Sequence, residues 1–268
     1  MSEGLDIEGL SAGYGRKAVV RDVTLPALRA GEVVALIGPN AAGKSTLLRA
    51  VAGLIPASGG ASLDGADLIR MKLVERARQV AFMPQTLPAN VSLTVHEGML
   101  TALKAAPTGD RLSGPALHRR AFAALERFGI ERLAMEYFDR LSGGQRQLAS
   151  LAQATVREPR LLLLDEPTSA LDLAHQIRAM RLVREFAQEH DALVVVVLHD
   201  LALACRWADR VAVLANGSIL SFGTPHEAIG PEVLRRAYGV EARVDTDTAG
   251  RVRIEVQDAL PETYRGAC

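Results

Sequence analysis

The clearest chemical signal in the sequence lies between Gly38 and Ser45, which read Gly-Pro-Asn-Ala-Ala-Gly-Lys-Ser. The segment fits G-x-x-x-x-G-K-[ST], directly after an apolar run at 33–37 and before a helix-like stretch. Glycines let backbone N–H groups turn towards one point, and the N-terminus of the following helix adds its positive dipole. Lys44 offers a positive charge to phosphate oxygens, and Ser45 offers a hydroxyl to Mg²⁺. The segment therefore predicts a nucleoside triphosphate site rather than an ordinary surface turn.

Two carboxylates form a second signal, because Asp165 and Glu166 directly follow the apolar run 161–164. Ligands of open α/β sheets bind outside the carboxyl ends of the strands, where both side chains would lie. We therefore expect Asp165 to hold Mg²⁺ and Glu166 to polarise a water that attacks the terminal phosphate. An apolar run that ends in Asp-Glu is by itself usually only a strand end. The presence of the phosphate loop in the same chain favours the functional interpretation.

A third segment reads Leu-Ser-Gly-Gly-Gln over residues 141–145. Ser142 and the two glycines after it open a helix-like stretch, so a hydroxyl, permissive backbone and a helix N-terminus would form a second anion site. Taken alone, this segment is more simply a helix cap. Two phosphate-binding helix starts on one chain are unexpected if each binds its own nucleotide.

The elements that position these residues are indicated by short apolar runs bounded by turn residues, typical of strands buried on both faces. These runs are at 33–37, 80–83, 161–164, 193–198 and 211–214. Helix-like segments lie between them, among them 44–54 and 175–190. Strands that alternate with helices predict a parallel sheet with crossover helices, so we assign the chain to the α/β class.

The segment 88–155 differs, because it lacks a long Val/Ile run and is mostly helix-like. Its helical stretches are 93–105, 115–128 and 145–156, and its expected surface loop is 106–109. We interpret the segment as a helical subdomain inserted into the α/β core. The first 30 residues alternate weakly and predict an antiparallel edge sheet. We place the main domain at 1–240 and a C-terminal extension at 241–268.

Composition excludes several classes of protein. Lys plus Arg and Asp plus Glu both number 31 in 268 residues, so the formal net charge is zero. This balance argues against bulk attraction to nucleic acid and against a charged disordered chain. The two cysteines, Cys205 and Cys268, cannot build a disulfide framework, which favours a reducing compartment. We find no signal-peptide pattern and no apolar run of about 18 residues, so we expect any membrane role to be peripheral.

From about residue 5 to residue 228 the sequence resembles the ABC ATPase family, the nucleotide-binding subunits of ABC transporters. The phosphate loop, the Asp165–Glu166 pair and the 141–147 segment carry the resemblance. It implies a P-loop NTPase core with a parallel sheet, an N-terminal antiparallel β-subdomain and an inserted helical subdomain. In the family, Ser-Gly-Gly of one subunit caps the γ-phosphate held by the other. The resemblance therefore implies a head-to-tail homodimer with two ATP molecules and Mg²⁺ at its interface.

The resemblance also implies roles for residues that match the family's motifs one by one. Expected to bind ATP are Tyr14, Gly38, Pro39, Asn40, Ala41, Ala42, Gly43, Lys44, Ser45 and Thr46. Expected to reach the partner subunit's ATP are Ser142, Gly143, Gly144, Gln145 and Asp172. Mg²⁺ would be held by Ser45, Gln85 and Asp165, and hydrolysis would depend on Glu166, His199 and Gln85.

Two of these matches also have a simpler structural interpretation. Tyr14, which would stack on adenine, is otherwise a tyrosine of the edge sheet. His199 matches the histidine that contacts the γ-phosphate, whereas a lone histidine at a strand end is more often structural. Its position 33 residues after Glu166, beyond a helix and a strand, favours the functional role.

Ala41 departs from the family, which often has glycine at this position. An alanine with positive φ would be destabilised by roughly 1 kcal/mol or more. We therefore expect a negative φ at Ala41 and unimpaired nucleotide binding.

Size and motif spacing narrow the class of ABC protein. Each motif occurs once, and the 97 residues from Lys44 to Leu141 are too few for the long coiled coils of chromosome-maintenance relatives. A stand-alone cassette is most often the motor of a bacterial importer, peripheral to the cytoplasmic face of the inner membrane. Its implied partners are a permease dimer and, indirectly, an extracytoplasmic substrate-binding protein, with no nucleic acid.

The cargo class is indicated only by softer resemblances, at 171–176, 200–204, 208–210, 222–225 and 234–240. These stretches resemble ATPases that import iron–siderophores, haem and cobalamin. We place ferric siderophore first, because importers of iron–siderophores are the most common of this group, and we keep haem or cobalamin as the alternative. A soluble ABC ATPase without a transport role and a non-hydrolysing regulatory module also stay open. Neutral charge argues against the former, and the presence of Glu166 and His199 against the latter.

Overall fold

The computed structural model of the chain describes residues 4–85, 92–105 and 113–261. The strands are β1 (Gly4–Tyr14), β2 (Lys17–Arg29), β3 (Val33–Ile37), β4 (Ala57–Leu63), β5 (Ala66–Asp67), β6 (Val80–Met83), β7 (Leu161–Asp165), β8 (Leu193–Val197), β9 (Arg210–Ala215), β10 (Ser218–Gly223), β11 (Val240–Thr246) and β12 (Val252–Ala259). The helices are α1 (Lys44–Val51), α2 (Leu73–Gln79), α3 (Val95–Ala105), α4 (Gly114–Phe128), α5 (Gly143–Thr155), α6 (Leu173–Glu189), α7 (Leu201–Trp207), α8 (Pro225–Ala228) and α9 (Pro231–Tyr238). Two 3₁₀ turns span Glu131–Leu133 and Phe138–Arg140.

The central sheet has the strand order β10-β9-β3-β8-β7-β6. The last five of these strands run parallel, and β10 pairs antiparallel with β9 at one edge. Every residue of β3, β7 and β8 is buried, which explains why these strands are apolar runs in the sequence, apart from Asp165 at the end of β7. The predicted parallel sheet is confirmed, with strand ends that differ by at most one residue from those expected.

Strand β3 divides the interior into two hydrophobic cores, because alternate side chains of a strand point to opposite faces. Val33, Ala35 and Ile37 belong to a larger core that also contains residues of α3 to α6. Val34 and Leu36 belong to a second core with residues of α1, β1 and β2. Helix α1 is therefore held between the central sheet and the N-terminal sheet, which fixes the start of α1 beneath the phosphate loop.

The N-terminal sheet has the order β2-β1-β4-β5, and its neighbouring strands pair antiparallel. Its strands alternate between buried and exposed residues, as expected for a sheet with one solvated face. The predicted antiparallel sheet over the first 30 residues is thus present as β1 and β2, and it also recruits β4 and β5.

Helices α3, α4 and α5 follow β6, and they form the helical part that the sequence predicts between the strands β6 and β7. Their apolar faces pack on the larger core through Val95, Met99, Leu125 and Leu148. The expected surface loop at 106–109 and the start of the segment, 88–91, lie outside the described residues. The subdomain limits of 88 and 155 therefore stay a prediction.

The chain ends, as far as it is described, in the antiparallel hairpin β11–β12 after helix α9. One face of this hairpin packs on the larger core through Val240, Ala242, Val244 and Ile254. The domain boundary predicted at residue 240 stays a prediction. Within the described ranges, no helix has the length and apolar character needed to cross a membrane.

Candidate functional site

The phosphate loop joins the C-terminal end of β3 to the N-terminus of α1. Its first residue, Gly38, has φ +148°, and a Cβ built there would lie 2.0 Å from the carbonyl oxygen of Leu214 on β9. Only glycine avoids that collision, so Gly38 lets the loop pass close to the neighbouring strand. Helix α1 then begins at Lys44, directly after Gly43 with φ +107°. The sequence and the geometry therefore agree on a loop that ends at a helix N-terminus.

Lys44 is buried in this loop, with 6 % of its surface exposed. Its Nζ donates hydrogen bonds of 2.7 Å to the carbonyl oxygen of Gly38 and 2.8 Å to that of Pro39. Burial lowers the pKa of Lys44, and the carboxylates of Glu166 and Asp165 oppose this shift. The ammonium thus lies inside a cradle of carbonyl groups, within the loop whose amides would meet the phosphates.

The backbone at Ala41 contradicts our expectation from the sequence, because its φ is +63° rather than negative. The residue adopts the left-handed conformation that glycine tolerates and an L-residue with a Cβ does not favour. The expectation was wrong because a negative φ was inferred from the presence of alanine alone. The closure of the loop between β3 and α1 sets the backbone here, whatever the side chain.

We expect the substitution Ala41→Gly to raise the free energy of unfolding by less than about 1 kcal/mol, with unchanged ATP affinity. Glycine relieves the left-handed strain of the folded state, and we expect this gain in free energy to exceed the loss caused by the greater conformational entropy of the unfolded variant. Denaturant unfolding measures this effect. Ala42→Gly is the matched control, since the φ of Ala42 is not positive and that variant should lose stability. An Ala41→Gly variant less stable than the parent would contradict the account.

Ser45 and Asp165 meet at the carboxyl end of β7. Oγ of Ser45 donates a hydrogen bond of 2.9 Å to Oδ1 of Asp165, whose side chain is fully buried. Oδ2 of Asp165 has no hydrogen-bond partner among the described residues. Burial raises the pKa of Asp165, against the opposing effects of the Ser45 hydrogen bond and the Arg49 charge. An unpartnered carboxylate oxygen beside a hydroxyl is a donor set that suits Mg²⁺, which prefers hard oxygen ligands.

The substitution Asp165→Asn should raise the thermal midpoint of the nucleotide-free protein at pH 7 and weaken its Mg²⁺-dependent ATP binding. The raised pKa means that the folded state favours the protonated carboxyl. This stabilisation is complete below the ordinary value of 3.8 and is lost as pH rises through the folded-state pKa. Asparagine carries no charge, so the stability difference between variant and parent should shrink as pH falls towards 4.

Melting curves across this pH range, together with ATP titrations with Mg²⁺ or EDTA, measure both effects. An Asp165→Asn variant that keeps the full benefit of Mg²⁺ would remove Asp165 from the metal site.

Glu166 lies one residue beyond β7 with φ +55° and contacts two other polar side chains. Nε2 of Gln85 donates a hydrogen bond of 2.6 Å to Oε2 of Glu166. Nε2 of His199 lies within hydrogen-bond distance of Oε1 of the same carboxylate. Gln85 follows β6 and His199 follows β8, so the ends of three neighbouring parallel strands bring these groups together. This arrangement can hold and polarise a water molecule.

A cavity of about 610 Å³ joins these groups to the phosphate loop. Its lining includes eight of the ten residues predicted to bind ATP in the same subunit, namely Tyr14, Asn40, Ala41, Ala42, Gly43, Lys44, Ser45 and Thr46. It also includes Gln85, Glu166 and His199. Gly38 and Pro39 are not among its described lining residues; their carbonyl oxygens accept the hydrogen bonds of Lys44. Tyr14 is half exposed, and its hydroxyl accepts a hydrogen bond of 2.9 Å from Nη1 of Arg49 on α1. The structure therefore places the adenine candidate at the same cavity as the phosphate loop.

Several residues of this cavity were not predicted from the sequence, among them Lys17, Arg21 and Asn216. Lys17 pairs with Tyr14 across the β1–β2 turn, so the short turn between them was a usable signal. The turn at Asn216 and Gly217 comes from the β9–β10 hairpin, and the amide of Gly217 donates a hydrogen bond of 3.1 Å to the carbonyl oxygen of Ala42. Nothing in the local sequence links that hairpin to the loop.

The residues predicted to act on the partner's nucleotide lie elsewhere. Ser142 caps α5 in a reciprocal arrangement with Gln145, whose amide donates to the serine hydroxyl at 3.3 Å. Asp172 caps α6 and accepts a hydrogen bond of 2.9 Å from the amide of His175. Among the described residues that line the cavity, neither Ser142 nor Asp172 is present, and both are exposed.

A match to a known protein family identifies the class of protein to which this site belongs. The family model described as ABC transporter matches residues 21–169, which is more than half of the chain. The chain belongs to the ABC transporter family. The predicted family, fold and class, an ATP-binding cassette of the ABC ATPases, are thereby confirmed.

Relatives of this ABC cassette cover most of its length. The hemin import ATP-binding protein of Myxococcus xanthus is 40% identical, over 90% of this chain and 91% of that protein. The iron(3+)-hydroxamate import ATP-binding protein of Bacillus subtilis is 34% identical, over 91% of this chain and 90% of that protein. The match to the cobalamin import ATP-binding protein of Halobacterium salinarum is 35% identical and spans 91% of this chain but 61% of that protein.

A solved structure agrees with this family assignment. The inward-facing form of a metal-chelate type ABC transporter superimposes with a TM-score of 0.79, at 25% identity, over 96% of this chain and 98% of that chain. The ABC fold expected from the sequence is therefore the fold of this chain.

Proposed function

We propose that this ABC cassette hydrolyses ATP as the motor subunit of an importer for metal chelates. The single observation that carries the proposal is a cavity lined by both the phosphate loop and Glu166, in which Ser45 of the loop is hydrogen-bonded to the buried Asp165. A site with only binding ability would not need a carboxylate held by both Gln85 and His199. Fold alone does not assign this function, and the arrangement of these side chains is what supports it.

ATP binding is assigned to the loop and its flanks. The amides from Gly38 to Thr46 and the N-terminus of α1 would surround the phosphates, and Lys44 would exchange its carbonyl partners for phosphate oxygens. Tyr14 would stack on the adenine ring, held from behind by Arg49. Ser45, Asp165 and Gln85 would hold Mg²⁺, which neutralises the charge that develops on the phosphate oxygens.

Hydrolysis is assigned to Glu166 and its two contacts. The carboxylate would accept a hydrogen bond from water and direct its oxygen at the γ-phosphorus atom. Gln85 and His199 hold the two carboxylate oxygens from opposite sides, which limits the rotation of the side chain. A carboxylate that is already fixed orients the attacking water without a further change in its own conformation, and this orientation lowers the barrier to hydrolysis.

The second half of each site is assigned to a partner subunit in a head-to-tail homodimer. Ser142, Gly143, Gly144, Gln145 and Asp172 would close over the γ-phosphate held by the other subunit. Two observations support this assignment: the N-terminus of α5 is capped and exposed, and Ser142 does not line its own subunit's cavity among the described residues. Exposed helix N-termini attract anions.

A groove between β6 and the helical part supports the assignment to a transporter. This cavity of about 380 Å³ is lined by Met83, Pro84, Gly98, Ala102 and Phe138, among others. Met83 and Pro84 line the groove, and the next residue in the chain is Gln85, which contacts Glu166. A partner segment bound in the groove would therefore lie next to the strand end that carries Gln85. We assign the groove to a helix of the membrane permease, which would place the cassette on the cytoplasmic face of the inner membrane.

The cargo is assigned from relatives, since this chain would not touch it. Relatives at 34–40% identity are named for import of hemin, iron(3+)-hydroxamate and cobalamin, and another is named for transport of achromobactin. We propose ferric siderophore first and keep haem or cobalamin as the alternative. An extracytoplasmic binding protein would deliver the chelate to the permease.

The test is capture of a tagged Glu166→Gln variant from detergent-solubilised membranes of the native cell, with ATP and Mg²⁺ present. We expect a permease with many membrane helices in stoichiometric amount, encoded beside a chelate-binding protein. Ala102→Arg is the matched control, because Ala102 lines the groove on α3 and is only half-buried, so the added charge should remove the permease while ATP is still bound. Recovery of only nucleic acid or membrane-free partners would overturn the transport role.

A further inference from the structure

Gln147 on α5 ties the start of that helix to the backbone of Glu166. The side chain is 3 % exposed. Its Nε2 donates a hydrogen bond of 2.8 Å to the carbonyl oxygen of Glu166, and its Oε1 accepts one of 2.8 Å from the amide of Ala170. One amide group therefore bridges both sides of the turn that follows β7.

The turn held by Gln147 has an unfavourable backbone at Glu166, whose φ is +55°. That conformation is unfavourable for a non-glycine residue, so surrounding contacts must hold it. The backbone conformation at Glu166 sets the direction of its Cα–Cβ bond and hence where the carboxylate points. A hydrogen bond to the carbonyl group of Glu166 itself acts directly on that conformation.

The other side of the turn packs on the first turn of α5. A Cβ added to Gly144 would lie 3.3 Å from the carbonyl oxygen of Ala170, and one added to Gly143 would lie 3.5 Å from the Ala170 side chain. The segment that ends in Asp172 thus lies against the Ser-Gly-Gly start of α5 without a gap. Because the two segments are in van der Waals contact and close-packed atoms transmit displacement, a small movement of this helix start must also move the turn.

We propose that Gln147 is a positioning residue that couples the partner's ATP site to the Glu166 carboxylate of its own subunit. The inference rests on the proposed function, in which Ser142 and Gly144 contact the ATP of the partner. When a γ-phosphate in the partner's site draws in the start of α5, Gln147 carries that displacement to the Glu166 carbonyl group. Each glutamate then reaches its working position only when both sites of the dimer hold ATP.

The chemistry of glutamine fits this role better than a purely space-filling one. Both ends of the amide are used, one as a donor and one as an acceptor, and they bind the two arms of a single turn. A space-filling residue at a buried position of α5 would be apolar, as Leu148 and Leu151 are. If the turn and the helix start moved apart, the buried amide of Gln147 would lose its hydrogen-bond partners, which is destabilising. We therefore expect the turn and the helix start to move together.

The test compares ATP hydrolysis by the full chain with Gln147→Met and Gln147→Glu. Methionine keeps the length and removes both hydrogen bonds, whereas glutamate keeps the acceptor for Ala170 and removes the donor to Glu166. We expect kcat to fall about 10- to 100-fold in both variants with KM for ATP unchanged, because the reacting water is misplaced and nucleotide contacts are not. We also expect the Hill coefficient for ATP to fall towards one.

Thr155→Val is the matched control, because Thr155 is a buried polar residue of α5 whose hydroxyl donates, among the described residues, to carbonyl groups of its own helix, those of Leu151 and Ala152. It should keep the parent's kcat and Hill coefficient even if its melting temperature falls. Hydrolysis by the Gln147 variants at the parent's rate would overturn the inference.

A loss of activity that matches only the loss of folded protein, with an unchanged Hill coefficient, would show a merely structural role and would overturn the inference too. A parent chain that releases no phosphate would instead remove the proposed function and this inference with it.

Discussion

We expect the substitution Glu166→Gln to lower kcat for ATP hydrolysis by about 10²- to 10⁴-fold while the affinity for Mg²⁺–ATP stays unchanged. Glutamine has nearly the same shape as glutamate but cannot accept a proton from the attacking water. Its carbonyl and amide groups can still contact Gln85 and His199, so the surrounding geometry is kept. The loss therefore reports the chemistry of one carboxylate rather than a rearranged site.

Phosphate release and titration with a fluorescent ATP analogue measure the two quantities separately. Glu158→Gln is the matched control, because Glu158 also has a positive φ, +53°, but pairs with Arg120 outside the cavity. That variant should hydrolyse ATP at the parent's rate. A Glu166→Gln chain as active as the parent would show that another group positions the water.

The second large effect concerns Lys44. The substitution Lys44→Met should raise the dissociation constant for Mg²⁺–ATP by about 10- to 100-fold, since a hydrogen bond to a charged group contributes about 1.5–3 kcal/mol. Methionine keeps most of the buried stem and removes only the ammonium. The burial that lowers the pKa of Lys44 opposes the two hydrogen bonds that its ammonium donates, so we expect only a modest change in the stability of the nucleotide-free protein.

Isothermal titration gives the dissociation constant, and a melting curve without nucleotide checks the fold. Lys72→Met, which removes an exposed ammonium at the start of α2, should leave both quantities unchanged. Equal ATP affinity in Lys44→Met and the parent would mean that the loop amides and the helix N-terminus bind the phosphates without this charge.

Much of the fold could be predicted because it rests on local patterns. The runs 33–37, 161–164 and 193–197 are apolar at every position, which is typical of strands buried on both faces. The run 161–164 alone could equally be a buried helix turn, and the companion runs favoured a strand. The phosphate loop could be found because its chemistry requires fixed residues at fixed spacing. In contrast, the alternation in Val240–Thr246 is also a strand signal, and it was not used.

The remaining features depend on contacts between distant parts of the chain. The φ of Ala41 is set by loop closure between β3 and α1, and the alanine itself argued for the opposite sign. Gln147 stood inside a segment that was already singled out, but only the three-dimensional structure shows that it reaches the carbonyl group of Glu166. Arg49 bonds Tyr14 across 35 residues, and nothing in the sequence between them indicates that contact.

We propose that two copies of this chain share each ATP site, and the mass of the Glu166→Gln variant in saturating Mg²⁺–ATP is the measurement that tests this proposal. Sedimentation should give twice the chain mass of 28.7 kDa with ATP and Mg²⁺, and the single chain mass with ADP. The added substitution Ser142→Arg should abolish the dimer without loss of ATP binding, since Ser142 is exposed and outside its own cavity. A Glu166→Gln chain that binds ATP and stays at 28.7 kDa would contradict the account.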